Sequence, residues 1–101
     1  MAGSTETRFA PDHPTAAGHF PGNPIIPGAL LLDSVIGAIA KVERIATPYE
    51  LRAVKFLRPI RPGDRLRIEW REERGVLHFR VLAEAGQVAA SGTLRAASGS
   101  K

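Results

Sequence analysis

Hydrophobic and polar residues follow different periods in the two halves of this chain. Residues 29–44 are apolar at most positions and present apolar side chains on nearly every side of a helical projection. A helix that is apolar all round is typical of a buried element. Pro27 stands just before this stretch, as at many helix starts, so we predict a buried helix from Gly28 to about Arg44.

From residue 51 onward the hydrophobic pattern has a period of two, which indicates strands. The clearest run sets Leu66, Ile68 and Trp70 between charged neighbours. Residues typical of turns separate this run from those on either side. The predicted strands are 51–57, 65–71, 77–81 and 88–95, with a short edge strand near 7–10.

One helix followed by antiparallel strands predicts an α+β domain in which the sheet wraps around the helix. The length of 101 residues fits a single domain over 1–101, with frayed tails at 1–5 and 97–101. A domain this short buries a limited core, and oligomerisation is a common supplement.

The segment between the first strand and the helix carries Pro21, Pro24 and Pro27. Each proline removes an amide donor and fixes φ, so we expect a stiff loop of the kind that holds reactive side chains in place. His19 lies in this loop, and histidine is the side chain best suited to be a base near neutral pH. Asp33 lies within the apolar helix, where a carboxyl group is costly to bury without a partner. These two residues are the candidate catalytic pair.

The run Gly18-His-Phe-Pro-Gly-Asn-Pro-Ile-Ile-Pro-Gly-Ala-Leu-Leu-Leu-Asp33 closely resembles the signature of bacterial β-hydroxyacyl-acyl-carrier-protein dehydratases. A second segment, Val54–Asp64, is similar to another segment of that family, and the resemblance covers most of residues 13–96. The short N-terminal part resembles the compact thioester dehydratase-like members of aryl-polyene-type clusters. The resemblance implies the hot-dog fold, in which an antiparallel sheet wraps a long central helix. It also implies homodimers or higher oligomers whose active sites take the histidine from one subunit and the acid from the other.

The resemblance assigns His19 as the base that removes a C2 proton and Asp33 as the acid or orienter for the departing hydroxyl. Charge then builds on the thioester oxygen, and the backbone N–H of Gly28 at the helix start is suited to stabilise it. The carbonyl of Ile25 is a candidate to hold the imidazole tautomer. The chain departs from the family pattern at Asp33, where many members carry Glu, and at Gly37, where the family often has Gln.

The implied reaction dehydrates 3-hydroxyacyl thioesters on acyl carrier protein to trans-2-enoyl thioesters. It uses no metal or redox cofactor, because the 4′-phosphopantetheine arm belongs to the substrate. One alternative is a non-catalytic hot-dog subunit that binds acyl carrier protein or an active dehydratase partner. Another alternative is an acyl thioesterase on the same fold.

The formal net charge is +4, and most of the excess comes from arginine between residues 44 and 80. A basic face attracts polyanions or acidic proteins, although it can equally be a solvated surface. Arg58, Arg61 and Arg65 are candidates for docking the carrier protein. Nucleic acid fits less well, because the arginines alternate with apolar residues and no aromatic-rich basic patch is present.

The absence of cysteine excludes disulfides and thiolate sites and fits a cytoplasmic protein. The polar N-terminus has no apolar core of a signal peptide, and the apolar run 29–40 is too short to cross a membrane. His13, His19 and His78 do not have the spacing of a metal site. We expect His78 to face solvent, and we expect the large aromatic side chains to lie in the core: Phe20, Phe56, Trp70 and Phe79.

Overall fold

An antiparallel sheet, a single α-helix and one short 3-10 helix (Glu84–Gly86) account for the regular structure of the described residues. The structure, a computed structural model, describes residues 2–9, 25–43 and 49–96. The strands are β1 (Ala2–Arg8), β2 (Tyr49–Phe56), β3 (Arg65–Glu73), β4 (Val76–Leu82) and β5 (Val88–Ala96), and the helix is α1 (Gly28–Glu43).

The sheet has five strands in the order β1-β3-β4-β5-β2, so β1 and β2 form its two edges. Alternation places Leu66, Ile68 and Trp70 of β3 on the side that packs in the core, and their charged neighbours on the other side. α1 packs Leu31, Val35 and Ile39 against that core. The α+β hot-dog architecture predicted for the chain is therefore confirmed.

β1 begins at Ala2, so the expectation of a frayed tail is wrong for residues 2–5. These residues pair with β3, from Ala2 opposite Arg71 to Thr5 opposite Ile68. Their core-facing positions are small or β-branched rather than apolar, so hydrophobic periodicity gives no signal, yet β3 is long enough to provide backbone partners. The tail predicted at 97–101 lies outside the described residues.

α1 is buried on one side only, which corrects the prediction of a helix buried all round. Ala29, Asp33, Gly37 and Lys41 recur at intervals of four residues and are all exposed. Residues at this spacing share one helix face, and the sheet of a single chain covers only the opposite face. No helix among the described residues combines the length and hydropathy needed to cross a lipid bilayer.

β2 contains a bulge that decides where its last residues point. Arg52 lies opposite Thr93 and Lys55 lies opposite Ser91, so two residues of β2 span a single residue of β5. The extra residue, Ala53, has a φ of 56°, a left-handed conformation that is unusual for a residue with a Cβ. The bulge turns Lys55 to the outside of the sheet and Phe56 to the helix side.

Candidate active site

The N-terminal end of α1 carries amide groups that have no hydrogen-bond partner within the helix. The N–H of Leu31 donates to the carbonyl of Pro27 at 3.0 Å, which is the first bond of the helical series. The amides of residues 28–30 precede that bond and point out of the helix end, where the dipole is positive. A developing negative charge placed here is stabilised.

A cavity opens beside this helix end. The N–H of Ile26 donates to the carbonyl of Ile60 at 2.7 Å and ties the segment before α1 to the segment after β2. The space between them measures about 380 Å³, within the usual range of small-molecule sites. Among the described residues its lining comes from two short segments: Ile25, Ile26, Gly28 and Leu31 on the helix side, and 56–60 on the sheet side.

The two sequence segments that carry the family resemblance therefore form opposite walls of one cavity. Residues 25–28 belong to the first motif, Gly18–Asp33, and residues 56–60 belong to the second motif, Val54–Asp64. Their contact was not predictable from either segment alone. It places the helix-end amide of Gly28 on the cavity wall.

Phe56 lies directly over Gly28. A Cβ at Gly28 would stand 2.8 Å from Cζ of Phe56, which is closer than real Cβ atoms approach. The absence of a side chain on Gly28 thus allows the ring to approach the helix start. The expectation that Phe56 lies in the core is wrong, because the residue is 53% exposed at an edge of the sheet that no described residue covers.

Asp33 does not line the cavity of its own chain. It stands five residues beyond Gly28, about 140° further around the helix axis, on the exposed side of α1. No described residue donates a hydrogen bond or forms an ion pair with its carboxylate. Gly37, one turn later, is also exposed, and apart from its own helix backbone no atom of the described residues lies within 4 Å of the position of a Cβ.

Of the other predicted site residues, only Ile25 and the three arginines are among the described residues. His19, His13 and Phe20 lie outside the described residues, so the pairing of His19 with Asp33 stays a prediction. Ile25 lines the cavity, as a residue that orients the base would need to.

The candidate docking arginines flank the second motif. Arg58 is exposed and lines the cavity. Arg61 is exposed in a turn that Asp64 closes, accepting a hydrogen bond from the Arg61 N–H at 2.9 Å. Arg65 is exposed at the start of β3. All three side chains are therefore accessible to a partner.

Sequence reasoning missed the apolar side of the cavity. Leu57 is 57% exposed and lies next to Phe56, while Ile60 is buried and forms the hydrogen bond that closes the wall. An apolar pair at the end of a strand, directly before a proline turn, was the available signal. Trp70, Phe79 and His78 do lie as expected, the first two in the core and His78 on the opposite side of the sheet.

A family model described as ApeI-like, ApeI dehydratase, matches residues 2–93. The chain belongs to the ApeI-like dehydratase family. This match extends over both motifs, the cavity between them and all but the end of β5, so it includes every predicted site residue.

Curated relatives of this ApeI-like chain are named 3-hydroxyacyl-[acyl-carrier-protein] dehydratase FabZ. That of Granulibacter bethesdensis is 39% identical over 94 residues, which cover 79% of this chain and 55% of the relative. That of Pectobacterium atrosepticum is 35% identical over 101 residues, which cover 85% and 66%. The chain spans about half the length of the curated relatives it matches.

Among solved structures, the ApeI-like chain is similar to the dehydratase heterocomplex ApeI:P from Xenorhabdus doucetiae. The TM-score is 0.75 at 24% identity, and the alignment covers 93% of this chain and 85% of the other. At that identity the likeness establishes the fold, and the assembly and chemistry belong to the protein from Xenorhabdus.

Proposed function

We propose that this chain acts as a dehydratase on 3-hydroxyacyl thioesters carried by acyl carrier protein. It removes water across C2 and C3 and releases a trans-2-enoyl thioester. The observation that carries the proposal is the cavity beside Gly28, where both family segments meet a helix-end amide that has no hydrogen-bond partner among the described residues. The names of the FabZ relatives support the substrate class.

The elimination needs three functions at one place. A base takes the C2 proton, and we assign this role to His19 because imidazole accepts a proton near neutral pH. The electron pair moves toward the thioester carbonyl, whose oxygen gains negative charge opposite the Gly28 amide. The C3 hydroxyl leaves as water after protonation, and we assign the proton donor to Asp33, the carboxyl group of the first motif.

The placement of Asp33 supports a site shared between two chains. In a single chain its carboxylate is exposed and faces away from the cavity. The exposed stripe of α1 and the uncovered end of β2 at Phe56 and Leu57 leave room for a second copy on this side. We propose a homodimer in which Asp33 of one copy acts together with His19 of the other.

The substrate itself supplies the phosphopantetheine arm, and the proposed steps need no further cofactor. Among the described residues the cavity lining is apolar apart from Arg58, which suits an acyl chain or the arm. Arg58, Arg61 and Arg65 then offer exposed cations for the phosphate and for the carrier protein. Such substrates place the protein in the cytoplasm.

The test measures enoyl product on carrier-bound 3-hydroxyacyl chains of several lengths by mass spectrometry. We expect His19→Ala to lower the rate by about 100-fold or more, since general base catalysis contributes about that much. Asp33→Asn should also lower it strongly while leaving the fold unchanged, because the residue is exposed. Wild-type activity equal to that of both variants would contradict the proposal, and release of free carrier thiol would indicate a thioesterase instead.

A second candidate is a subunit that acts only with a different hot-dog chain. The observation in its favour is that the similar structure from Xenorhabdus is a heterocomplex of dehydratases. The same assay separates the two candidates. Activity of the chain by itself supports the dehydratase, whereas activity that requires an added second chain and survives His19→Ala supports the partner role.

A further inference from the structure

The side of the sheet that faces away from α1, here called the outer face, carries the charge excess of the protein. Alternation and cross-strand register place eight Arg or Lys side chains on it against four Glu. That excess equals the formal net charge of +4 for the whole chain. Four of the cations stand on β3 and β4: Arg65, Arg67, Arg71 and Arg80.

The bulge in β2 adds to this face. Residues three apart in a regular strand point to opposite sides, yet Arg52 and Lys55 both point outward because Ala53 is inserted between them. Ala53 adopts its left-handed φ of 56° to achieve this. Lys55 forms no ion pair with a described residue, so its ammonium group is available to an anionic partner.

A trough runs along β5 on the outer face, with a volume of about 610 Å³. Its floor is made of short polar side chains, Ser91 and Thr93, which lie between longer cationic ones. Lys55 forms one wall from β2, and Arg80 with His78 forms the other from β4, where Arg71 of β3 lies directly behind His78. Glu69 also lines the trough, but hydrogen bonds from Arg67 and Arg80 occupy its oxygens.

The dimensions of the trough match those of a helix. Its two walls stand two strand spacings apart, about 10 Å, which is close to the diameter of an α-helix. Side chains on one face of a strand recur every ~7 Å, and carboxylates at i and i+4 of a helix recur at about 6 Å. We propose that the trough docks an acidic α-helix of a partner protein, lying along β5.

Charge and shape favour this occupant over other anions. A second copy of the chain would bring a face of the same sign and be repelled. The described strands point no Phe, Tyr or Trp side chain outward, and the imidazole of His78 by itself is a small platform for the stacked bases of single-stranded nucleic acid. The glutamates interspersed among the arginines would repel a dense row of phosphates, whereas spaced carboxylates can alternate with them.

The experiment measures binding to the wild-type chain by fluorescence anisotropy. The probe is a labelled alanine-based helical peptide of about 20 residues with glutamate at every fourth position. The matched peptide with glutamine instead of glutamate and a DNA duplex of ~20 base pairs are the comparison ligands. We expect the glutamate peptide to bind more tightly than both comparison ligands. We also expect its affinity to fall as the salt concentration is raised.

Charge-reversal variants locate the binding. The double variant Lys55→Glu with Arg71→Glu should weaken binding of the glutamate peptide by about tenfold or more, since both charges border the trough. The control, Lys41→Glu with Arg74→Glu, changes the net charge equally but lies on α1 and in the β3–β4 turn, and should change binding less than about twofold. Lys55→Gln, which cannot disturb folding by repulsion, should weaken binding measurably.

Equal weakening by the trough and control variants would overturn the proposal, as would equal binding of the glutamine peptide. Tighter binding of the duplex would assign the face to nucleic acid instead. These readouts do not depend on catalysis, so the proposed dehydration can fail while this surface is confirmed, or the reverse.

Discussion

Single residues on opposite sides of the sheet have different constraints. At the cavity, position 28 has no room for a side chain, because a Cβ there would clash with the ring of Phe56. On the outer face, the carboxylate of Glu69 is held by hydrogen bonds from two arginines. Arg80 donates to it at 2.8 Å and Arg67 at 3.1 Å, and these hydrogen bonds, that of Arg80 first, hold the pKa of Glu69 below its ordinary value.

Gly28→Ala should impair the site without unfolding the protein. The new Cβ displaces the half-exposed ring of Phe56 into the cavity, and misplacement on this scale lowers kcat/KM by about 10- to 100-fold. Adding Phe56→Leu removes the clash and should restore most of the loss, measured against Phe56→Leu alone. Gly37→Ala, which meets no atom within 4 Å, is the control and should keep near wild-type activity. A double variant as inactive as Gly28→Ala would show that ring displacement is not the cause.

Glu69 should contribute to stability at neutral pH and lose that contribution in acid. Because folding lowers its pKa, the ionised form is favoured in the folded state. The contribution is present above the ordinary carboxyl pKa of about 4.3 and disappears as pH falls through the lower folded-state value. Urea unfolding should therefore find Glu69→Gln less stable than wild type at neutral pH and closer to it in acid. Arg80→Gln should behave alike, and an equal deficit at both pH values would contradict this account.

At the scale of elements, α1 is tied to the rest of the fold near both of its ends. The Ile26–Ile60 hydrogen bond fixes the approach to its start. At its last residue, Glu43 accepts a hydrogen bond of 2.7 Å from Nε1 of Trp70 in β3. Gly3 of β1 lies against the same indole, since a Cβ there would stand 2.7 Å from the ring. Trp70 thus links the helix, the central sheet and the edge strand.

Removing the acceptor should destabilise the fold. Glu43→Ala leaves the indole N–H of the buried Trp70 without a partner and should lower the free energy of unfolding by about 1–3 kcal/mol. Glu43→Gln keeps an acceptor oxygen and should cost less. Trp70 is the only tryptophan, so its fluorescence reports urea unfolding directly. Glu72→Ala removes an exposed carboxylate from β3 and is the control, and equal effects of all three substitutions would refute the role of this bond.

At the scale of the whole molecule, the candidate catalytic groups of a single chain lie on different sides of α1. The cavity opens beside Gly28, while Asp33 stands on the exposed stripe of α1. The apolar side chains left open include Val42, Phe56 and Leu57, each more than half exposed. A small domain with these features is expected to complete its core and its site by association.

Mixing two inactive variants tests this association. If His19 and Asp33 of different chains act together, co-refolding His19→Ala with Asp33→Asn yields heterodimers with one intact site. Random pairing should then restore about a quarter of wild-type activity, because half of the dimers are mixed and each has one intact site of two. If both groups came from the same chain, every site would keep one defect. The mixture would then stay as inactive as its components.

The sequence by itself determined the order and type of most elements. Helix α1 was predicted from Gly28, and the strands after it were predicted within a few residues, because periodicity and proline positions are local properties. Motif resemblance led to the hot-dog fold and the ApeI-like family, which the structure and the comparisons confirmed. β1 was underestimated because its pairing with β3 depends on a partner that is remote in sequence.

Only the tertiary structure decided how the two motifs meet and which way the key side chains point. A bulge at Ala53 sets Phe56 against Gly28 and turns Lys55 to the opposite side of the sheet, and no local pattern records that extra residue. The exposure of Asp33 likewise depends on which helix face the sheet covers. Faces and cavities arise from contacts between segments far apart in the chain, so they are properties of the packed structure and not of any single stretch of residues.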